Sequence, residues 1–250
     1  MKNRLKEILK KGNIAVGITV TIGHPDVSEI LAKMGFDFIN FDIQHTPLSI
    51  ETVQYLMQAM SYSDSTPIVR VPWNDIVMIN RALDIGAHGI IVPFVNTRED
   101  MERALKFARF PPIGVRSYGP RRASLRDPEY VKNCNEEILV FPQIETKESL
   151  ENIEDILSVE GVEAFFVGPY DLSFSLGVFM QWDNPKFLKA IERIIEAAES
   201  TGTIPGMLAL IEDPVKTIER GFRLINLGID TGLLIDSASM LLEKVNRVRK

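Results

Sequence analysis

Eight short runs of apolar and β-branched residues, separated by helical segments, constrain the fold of this chain most strongly. Each run is nearly continuous rather than alternating, which is typical of strands buried on both faces. Eight strand–helix units in 250 residues predict a single α/β domain over residues 1–250, folded as a parallel (β/α)8 barrel. The runs are residues 15–20, 36–43, 67–71, 89–95, 138–144, 164–168, 204–210 and 223–229.

Helical periodicity separates these runs, most clearly in residues 50–60 and 187–198. A doubly wound open sheet is the alternative fold, but it usually carries a G-x-G-x-x-G turn after its first strand, which this chain lacks. The longest irregular segment, 110–137, is expected to be functional, because long loops are uncommon in compact domains. Helix starts are predicted at capping residues and first-turn prolines, namely Asp26, Ser49, Asn74, Thr97, Asn184-Pro185 and Asp213-Pro214.

The charge balance disfavours a nucleic-acid partner, because the net charge is −6 and such surfaces need an excess of basic residues. The single cysteine, Cys134, excludes an intrachain disulfide and fits a reducing compartment. No apolar run approaches the ~20 residues of a membrane helix, and no signal sequence is recognised, so we expect no membrane association and a cytoplasmic location. Four arginines close together in sequence favour a local anion site, namely Arg116, Arg121, Arg122 and Arg126.

Polar side chains stand at the C-terminal ends of several predicted strands, where a barrel of this kind places its active site. Each of them is costly to remove from water unless it is paired or bound to a metal. Any one alone is readily explained as a solvated residue of the barrel rim. Together they are expected to face a common mouth and to form the site. These residues are Asp42, Arg70, Gln143, Glu145 and Asp171.

Glu145 and Asp171 follow adjacent strands, so their carboxylates are expected to lie close together. Two close carboxylates do not both ionise readily without a cation, so they either share a proton or hold a metal. Oxygen ligands with no cysteine or histidine beside them suit Mg²⁺ or Mn²⁺. A metal site is therefore predicted, with an acid/base carboxylate pair as the alternative.

The chain has three histidines, and His45 is the best candidate for a general base. It follows a strand end, three residues after Asp42, a spacing that allows the carboxylate to orient the imidazole. His88 enters the fourth strand and is interpreted as structural, whereas His24 has no evident partner. Arg70 is the candidate for holding a carboxylate or a developing enolate. Because no strand run contains a lysine, a Schiff base is excluded and carbonyl chemistry must be metal-assisted.

Short motifs along nearly the whole chain resemble the HpcH/HpaI family of metal-dependent pyruvate aldolases. None of the motifs is decisive alone, but their order and spacing together are specific. The fold implied is a (β/α)8 barrel of the phosphoenolpyruvate/pyruvate-binding type. The activity implied is reversible cleavage of a 4-hydroxy-2-oxo acid to pyruvate and an aldehyde. The motifs occupy residues 35–37, 42–45, 69–75, 83–86, 111–116, 143–146, 159–162 and 168–173.

The resemblance implies a role for each matching residue in proton transfer and enolate stabilisation. His45 matches the proton-transferring base, and Arg70 matches the residue that stabilises the enolate. Asp84 matches a residue credited with raising the basicity of the histidine. A helix end before a strand points to the other face of the barrel, however, so geometry alone favours Asp42 for that role.

For the metal and the pyruvate part, the resemblance implies that Glu145 and Asp171 bind Mg²⁺ or Mn²⁺, with Co²⁺ as a further candidate. Gln143, Asp171 and the backbone N–H of Tyr170 are implied to contact the pyruvate part. The chain departs from the family at Gln44, Thr19 and Tyr170, where an acidic residue, a tryptophan and a small residue are common. These departures leave the aldehyde specificity open.

The family's last helix packs on a neighbouring subunit, which implies a homohexamer built as a trimer of dimers and fits the amphipathic segment 233–250. Two related reactions remain open at the same site, decarboxylation of oxaloacetate and cleavage of a citryl- or malyl-type acyl-CoA. A CoA substrate needs a basic patch, for which segment 116–126 is the candidate. A barrel that binds a ligand without catalysis is disfavoured, because His45 and Glu145 are both present.

Overall fold

The computed structural model describes residues 2–209 and 212–249, which form a closed barrel of eight parallel strands. Neighbouring strands follow sequence order, and the last strand pairs with the first to close the ring. The predicted (β/α)8 fold is therefore confirmed. The strands are β1 (Ala15–Val20), β2 (Phe38–Asp42), β3 (Thr66–Arg70), β4 (Gly89–Val92), β5 (Leu139–Ile144), β6 (Ala164–Val167), β7 (Ile204–Leu208) and β8 (Leu224–Ile229).

Helices surround the barrel, with one helix before β1 and at least one after every strand. In the described part of the chain, no helix is both long and apolar enough to cross a membrane. The helices are α1 (Arg4–Lys10), α2 (Pro25–Lys33), α3 (Ile50–Ala59), α4 (Ile76–Asp84), α5 (Arg98–Ala108), α6 (Arg121–Arg126), α7 (Tyr130–Glu137), α8 (Lys147–Glu151), α9 (Ile153–Leu157), α10 (Pro169–Ser175), α11 (Pro185–Thr201), α12 (Pro214–Glu219) and α13 (Asp230–Asn246).

Most predicted helix starts are confirmed, and two are wrong by one or two residues. Ser49, Thr97, Asn184 and Asp213 are N-caps whose side chains accept from backbone N–H groups of the first turn. Asp26 instead lies inside α2, because the His24 side chain caps that helix and Pro25 begins it. Asn74 is replaced as cap by Asp75, since the Asn74 amide donates to the backbone of Asp100 instead.

Segment 110–137 is not the irregular loop expected from the sequence, because it contains α6 and α7. Both helices are short, at 6 and 8 residues, and neither has a side-chain cap, so the usual start signals are absent. Cys134 is buried in α7, and burial raises the pKa of its thiol, which disfavours the thiolate that a nucleophile requires.

The interior of the barrel changes from apolar to polar along the strands. At the N-terminal end, Leu5 and Leu9 of α1 are buried against inward-facing strand residues and close the barrel. The rings of Phe38 and Phe141 each pack edge-on against Phe166, with centroids 6.1 and 5.4 Å apart. Because side chains alternate along a strand, the next inward positions lie two residues further on, and several of these are polar. They are Asn40, Gln143 and Asn226.

Candidate active site

A cavity of about 90 Å³ lies at the C-terminal ends of the strands, where the sequence predicts the active site. All eight strands and the first turn of α10 contribute to its wall. The structure therefore brings four predicted site residues, which are separated along the chain, to one place. These residues are Arg70, Gln143, Tyr170 and Asp171.

Arg70, the last residue of β3, is held by Asp42, the last residue of β2. Arg70 Nε donates to Asp42 Oδ1 at 2.9 Å, and Nη2 donates to Oδ2 at 2.7 Å. Burial alone would raise the pKa of Asp42, but the hydrogen bonds and the charge of Arg70 outweigh it and hold that pKa below its ordinary value. No described residue accepts from Arg70 Nη1, so that end of the guanidinium is available to a substrate.

His45 lies in the loop after β2, and its side chain is exposed at the barrel mouth. The carboxylate of Asp42 accepts from the backbone N–H of Gln44, but no hydrogen bond joins Asp42 to His45 in the described part of the chain. The two side chains are close enough for the charge of His45 to lower the pKa of Asp42. Asp42 thus orients Arg70 in the structure, and its predicted influence on His45 stays a prediction.

Glu145 directly follows β5 and is almost fully buried, with 1% of its surface exposed. Its Oε1 accepts from the backbone N–H of Phe94 at 2.7 Å, and its Oε2 accepts from the amide of Gln143. In the described part of the chain, Glu145 forms no ion pair with any basic side chain. Burial is the main cause that raises the pKa of Glu145 above its ordinary value. Glu145 is therefore a buried carboxylate that is hydrogen-bonded but not paired with a basic side chain among the described residues.

The backbone around Glu145 is shaped to fit this carboxylate. Phe94 has a φ of 51°, a conformation that costs energy for a residue with a side chain, and this residue donates to Glu145. At Gly168, a Cβ would lie 2.8 Å from Glu145 Oε2 and 3.0 Å from Gln143 Nε2, so only glycine fits there. Neither residue was identified from the sequence, because their importance arises from contacts across neighbouring strands.

Asp171 lies in the first turn of α10 and is exposed at the mouth. Its charge contributes to the raised pKa of Glu145, so the two carboxylates lie close enough for Asp171 to influence Glu145. Carboxylate oxygens with no sulfur or imidazole beside them are ligands that suit a hard divalent cation. Within residues 2–209 and 212–249, no group of three or more His, Cys, Asp and Glu side chains is arranged to hold a metal. The two-carboxylate metal site stays a prediction.

Tyr170 and Thr19, two of the three departures from the family pattern, line the cavity. The ring of Tyr170 packs edge-on against Trp182, with the centroids 5.3 Å apart. Gln44, the third departure, follows β2 beside Asp42, and its Oε1 is buried without a hydrogen-bond partner among the described residues. Tyr170 and Gln44 therefore lie near the mouth, whereas Thr19 is buried deeper in the cavity.

Asp84 does not line the cavity and is paired with a residue outside it. It ends α4, and its Oδ1 accepts from Arg116 Nη2 at 2.7 Å. Arg116 is only 2% exposed, donates to the hydroxyl of Tyr130 at 3.0 Å, and has its guanidinium 4.4 Å from the ring centre of Phe110. These contacts explain why the charged side chain of Arg116 can be buried. The role of Asp84 in raising the basicity of His45 stays a prediction.

Three polar residues of the cavity floor form a cluster that the sequence did not reveal. Thr19, Asn40 and Asn226 are buried on β1, β2 and β8, and the hydroxyl of Thr19 accepts from both amides. Thr19 was noted only as a departure, and the other two were not identified. Their inward register could have revealed them, because each lies two residues from an inward-facing residue of its own strand.

Comparison with known proteins agrees with this geometry. A family model described as HpcH/HpaI aldolase/citrate lyase matches residues 17–237. The 4-hydroxy-2-oxo-heptane-1,7-dioate aldolase of Shigella sonnei (strain Ss046) is 37% identical over 246 residues, which cover 96% of this chain and 94% of the relative.

Solved structures lead to the same family. A HpcH/HpaI aldolase/citrate lyase family protein from Burkholderia cenocepacia J2315 matches with a TM-score of 0.92 and 29% identity, over 98% of this chain and 100% of the other. The citrate synthase SbnG matches with a TM-score of 0.89 and 32% identity, over 98% of each chain. The family model and these near-complete similarities show that the chain belongs to the HpcH/HpaI aldolase/citrate lyase family.

Proposed function

We propose that this chain is a divalent-metal-dependent aldolase, an aldehyde-lyase that reversibly cleaves a 4-hydroxy-2-oxo acid into pyruvate and an aldehyde. The observation that carries the proposal is the buried carboxylate of Glu145, which no basic side chain of the described residues pairs with, at the same mouth as Arg70, which Asp42 holds in place. The Glu145 carboxylate requires a positive partner, and the Arg70 guanidinium is placed to stabilise negative charge on a substrate. The similarity to 4-hydroxy-2-oxo-heptane-1,7-dioate aldolases supports this substrate class.

The residues present fit a divalent metal. Glu145 is a buried carboxylate with a raised pKa, and Asp171 is a second carboxylate close enough to affect it. Enzymes of this family generally depend on a divalent metal. Glu145 and Asp171 would hold Mg²⁺ or Mn²⁺, with Co²⁺ as a further candidate. When bound, the metal would act as a Lewis acid on the 2-oxo group of the substrate.

The remaining steps are assigned to side chains of this chain. Gln143 and the backbone N–H of Tyr170 bind the pyruvate part. His45 accepts the proton of the 4-hydroxyl, whose oxygen forms the aldehyde carbonyl as the C3–C4 bond breaks. The electron pair of that bond passes into the enolate of pyruvate, and Arg70 stabilises the enolate oxygen through its free N–H groups. Protonation of C3 then yields pyruvate.

A metal-supplemented condensation assay tests this function. Pyruvate is combined with succinic semialdehyde, lactaldehyde or glycolaldehyde, and the 4-hydroxy-2-oxo acid product is measured. We expect turnover that disappears after exhaustive chelation and returns on adding Mg²⁺ or Mn²⁺. Arg70→Ala should lower turnover in this assay, because the enolate loses its partner. Arg98→Ala is the matched control, since Arg98 forms an exposed ion pair on α5. Full turnover in the absence of divalent metal would contradict the proposal.

Metal binding is tested separately from turnover. Anything that binds only the folded state stabilises it, by about 2.7 kcal/mol at a hundred times the dissociation constant. Mg²⁺ or Mn²⁺ should therefore raise the thermal midpoint of the wild-type protein. Glu145→Gln should lose this increase, whereas Glu148→Gln, in the neighbouring helix α8, should keep it. An equal increase in both variants would mean that the metal binds elsewhere.

The alternative reactions at the same site are decarboxylation of oxaloacetate and cleavage of an acyl-CoA. The chain is also similar to a citrate synthase, which is consistent with a different reaction at the same site. However, segment 116–126 presents a smaller basic patch than its sequence suggests, because Arg116 is buried and Arg122 donates to the backbone of Ile85, which leaves Arg121 and Arg126 exposed. This observation favours the aldolase. Faster turnover of oxaloacetate or malyl-CoA than of any 4-hydroxy-2-oxo acid would reverse that assignment.

We further propose that the enzyme is a cytoplasmic homohexamer in which α13 packs on a neighbouring subunit. In this 17-residue helix only Asp230 is buried, although a surface helix normally buries its apolar side chains. Seven large apolar side chains of α13 are 46–63% exposed. An apolar surface of this kind marks a protein–protein contact. The seven residues are Leu233, Leu234, Ile235, Met240, Leu241, Leu242 and Val245.

A further inference from the structure

The floor of the cavity carries a polar cluster that the proposed mechanism does not use. Thr19, Asn40 and Asn226 are 5%, 3% and 6% exposed and lie on the three neighbouring strands β1, β2 and β8. Asn40 Nδ2 and Asn226 Nδ2 donate to Thr19 Oγ1 at 3.0 and 2.6 Å. We call these three residues the amide floor. Its hydrogen bonds fix both amides at the base of the same cavity that Arg70 and Gln143 line.

One atom of the amide floor has no partner. Asn226 Oδ1 accepts from the backbone N–H of Gly228 at 3.2 Å, whereas Asn40 Oδ1 is buried without a hydrogen-bond partner among the described residues. A buried polar atom left unsatisfied costs about 1–3 kcal/mol, so such atoms in folded proteins usually meet a ligand or water. Because Asn40 lines the cavity, a molecule bound there is in a position to satisfy it.

The position of the amide floor identifies which part of a substrate reaches it. Gln143 belongs to β5 and Glu145 directly follows it; β5 lies across the barrel from β8, β1 and β2 in the strand order. A substrate whose 2-oxo acid group binds on the β5 side therefore directs a different part of the molecule toward the amide floor. That part is either the aldehyde-derived carbons or a substituent on C3.

The chemistry of the amide selects the group that it binds. A hydroxyl donates to Asn40 Oδ1, and it also accepts from Nδ2 if the amide is turned by 180°. A carboxylate oxygen would oppose Oδ1, since neither atom carries a proton, and an alkyl group would leave the amide unsatisfied. A hydroxyl is therefore the group that satisfies the amide floor in either orientation.

We propose that the amide floor is a subsite for a hydroxyl group of the substrate and that it makes the enzyme prefer hydroxylated substrates over their deoxy analogues. The proposal rests on the proposed aldolase function and adds a specificity to it. Sites built to hydrogen-bond a substrate hydroxyl reject analogues that lack it, because the buried polar groups of the site are then left unpaired.

Two pairs of substrates test the subsite and show where the hydroxyl lies. The first compares glycolaldehyde with acetaldehyde as partners of pyruvate, and the second compares hydroxypyruvate with pyruvate as partners of acetaldehyde. In each pair, kcat/KM with the hydroxylated compound is divided by kcat/KM with the deoxy compound. Asn40→Leu, which removes the amide at similar volume, should lower this ratio about tenfold in one of the two pairs.

Further variants separate hydrogen bonding from folding and from cavity shape. Thr19→Val removes the acceptor that holds both amides and should lower the ratio, whereas Thr19→Ser keeps the acceptor and should preserve it. Ile91→Val, which alters an apolar lining residue of the same cavity, is expected to leave the ratio unchanged. If Asn40→Leu does not fold, the comparison of Thr19→Val with Thr19→Ser decides the question.

Failure of this proposal is distinguishable from failure of the proposed function. If pyruvate condenses with aldehydes but both ratios in Thr19→Val equal those of the wild-type enzyme, the aldolase stands and the hydroxyl subsite is overturned. If the wild-type enzyme condenses neither 2-oxo acid with either aldehyde, the proposed function fails and the subsite proposal fails with it.

Discussion

Arg70 and Asp42 show why a single substitution at this site affects both turnover and folding. Because Asp42 is buried, removing Arg70 leaves an uncompensated charge inside the protein. Breaking a buried ion pair in this way typically costs about 3–5 kcal/mol. Arg70→Ala should therefore lower the free energy of unfolding by about 3 kcal/mol, and it should lower kcat at least about a hundredfold because the enolate loses its partner.

Urea denaturation and steady-state kinetics of the same protein preparations measure both effects. Arg98→Ala is the control for stability, since Arg98 and Glu102 form an exposed ion pair worth less than about 1 kcal/mol. The double variant Arg70→Ala/Asp42→Asn should recover part of the lost stability but none of the lost activity. A single Arg70→Ala variant as stable as the wild-type protein would show that the pair is not buried in solution.

His88 is expected to make the folded state sensitive to acid. Burial is the main cause that lowers the pKa of His88 to about 4, whereas an unfolded histidine has a pKa of about 6.5. Because the folded pKa is the lower one, the unfolded chain takes up this proton first as the pH falls. The contribution of neutral His88 to stability is therefore complete above about pH 6.5 and is lost progressively toward pH 4.

Urea denaturation at about pH 7.5 and about pH 5 measures this effect, which amounts to about 2 kcal/mol from one histidine over that range. The wild-type protein should lose more stability between the two pH values than His88→Gln does, and the difference should be about that size. Tyr62→Phe is the control, because the Tyr62 side chain is 97% exposed. Equal losses in the wild-type protein and His88→Gln would disprove the assignment to His88.

At the scale of the element, helix α1 closes the N-terminal end of the barrel, a role that the sequence did not predict. It has only 7 residues, so its periodicity is too brief to distinguish from a loop, yet Leu5 and Leu9 close the N-terminal end of the barrel. Truncating a fully buried leucine to alanine costs about 2–5 kcal/mol. Leu5→Ala should therefore destabilise the protein by that amount, and the folded enzyme should keep its kcat because the active site lies at the other end.

Thermal and urea unfolding measure the stability lost in Leu5→Ala. Lys10→Ala is the control on the same helix, since Lys10 is exposed. Equal stability of Leu5→Ala and Lys10→Ala would mean that α1 does not close the barrel in solution. A fall in kcat of folded Leu5→Ala would show that the two ends of the barrel are coupled.

The elements that the sequence predicted well share one physical property, burial on both faces. Such strands read as continuous apolar runs, so all eight were found, and no strand end differs from its prediction by more than three residues. Residue 210, the predicted end of the seventh run, lies outside the described residues. The largest error is in β4, which ends at Val92 rather than residue 95, because Pro93 has no N–H for the ladder and Phe94 has a positive φ. Helices α6 and α7 were missed because they are short and have no side-chain cap, so no local pattern marks where they begin.

At the scale of the whole molecule, the sequence indicated where the site residues lie but not how they pair. The strand ends identified Arg70, Gln143 and Asp171, which the fold brings together at one cavity. The partner of Arg70 and the amide floor depend on register between strands, which only the closed barrel determines. Residues whose role depends on contacts between strands can thus be identified only from the structure, whereas residues that directly follow apolar runs can be identified from the sequence.

The exposed apolar side chains of α13 lead to the last prediction, which concerns assembly. If α13 packs on a neighbouring subunit, the wild-type protein should have about six times the mass of one chain in solution. Leu234 and Leu241 lie seven residues apart on one face of the helix and are 60% and 57% exposed. A glutamate in their place would be buried without a partner in the interface, which is unfavourable. The double variant Leu234→Glu/Leu241→Glu should therefore be a smaller species.

Light scattering coupled to gel filtration measures the mass of each species. The control is Ser239→Glu/Asn246→Glu, which adds the same charge on the polar side of the same helix and should keep the wild-type mass. Circular dichroism and thermal unfolding establish that both variants are folded. Because each barrel contains its own cavity, loss of activity in the smaller species would show that assembly also completes the site. A wild-type monomer, or a double leucine variant of unchanged mass, would refute the role given to α13.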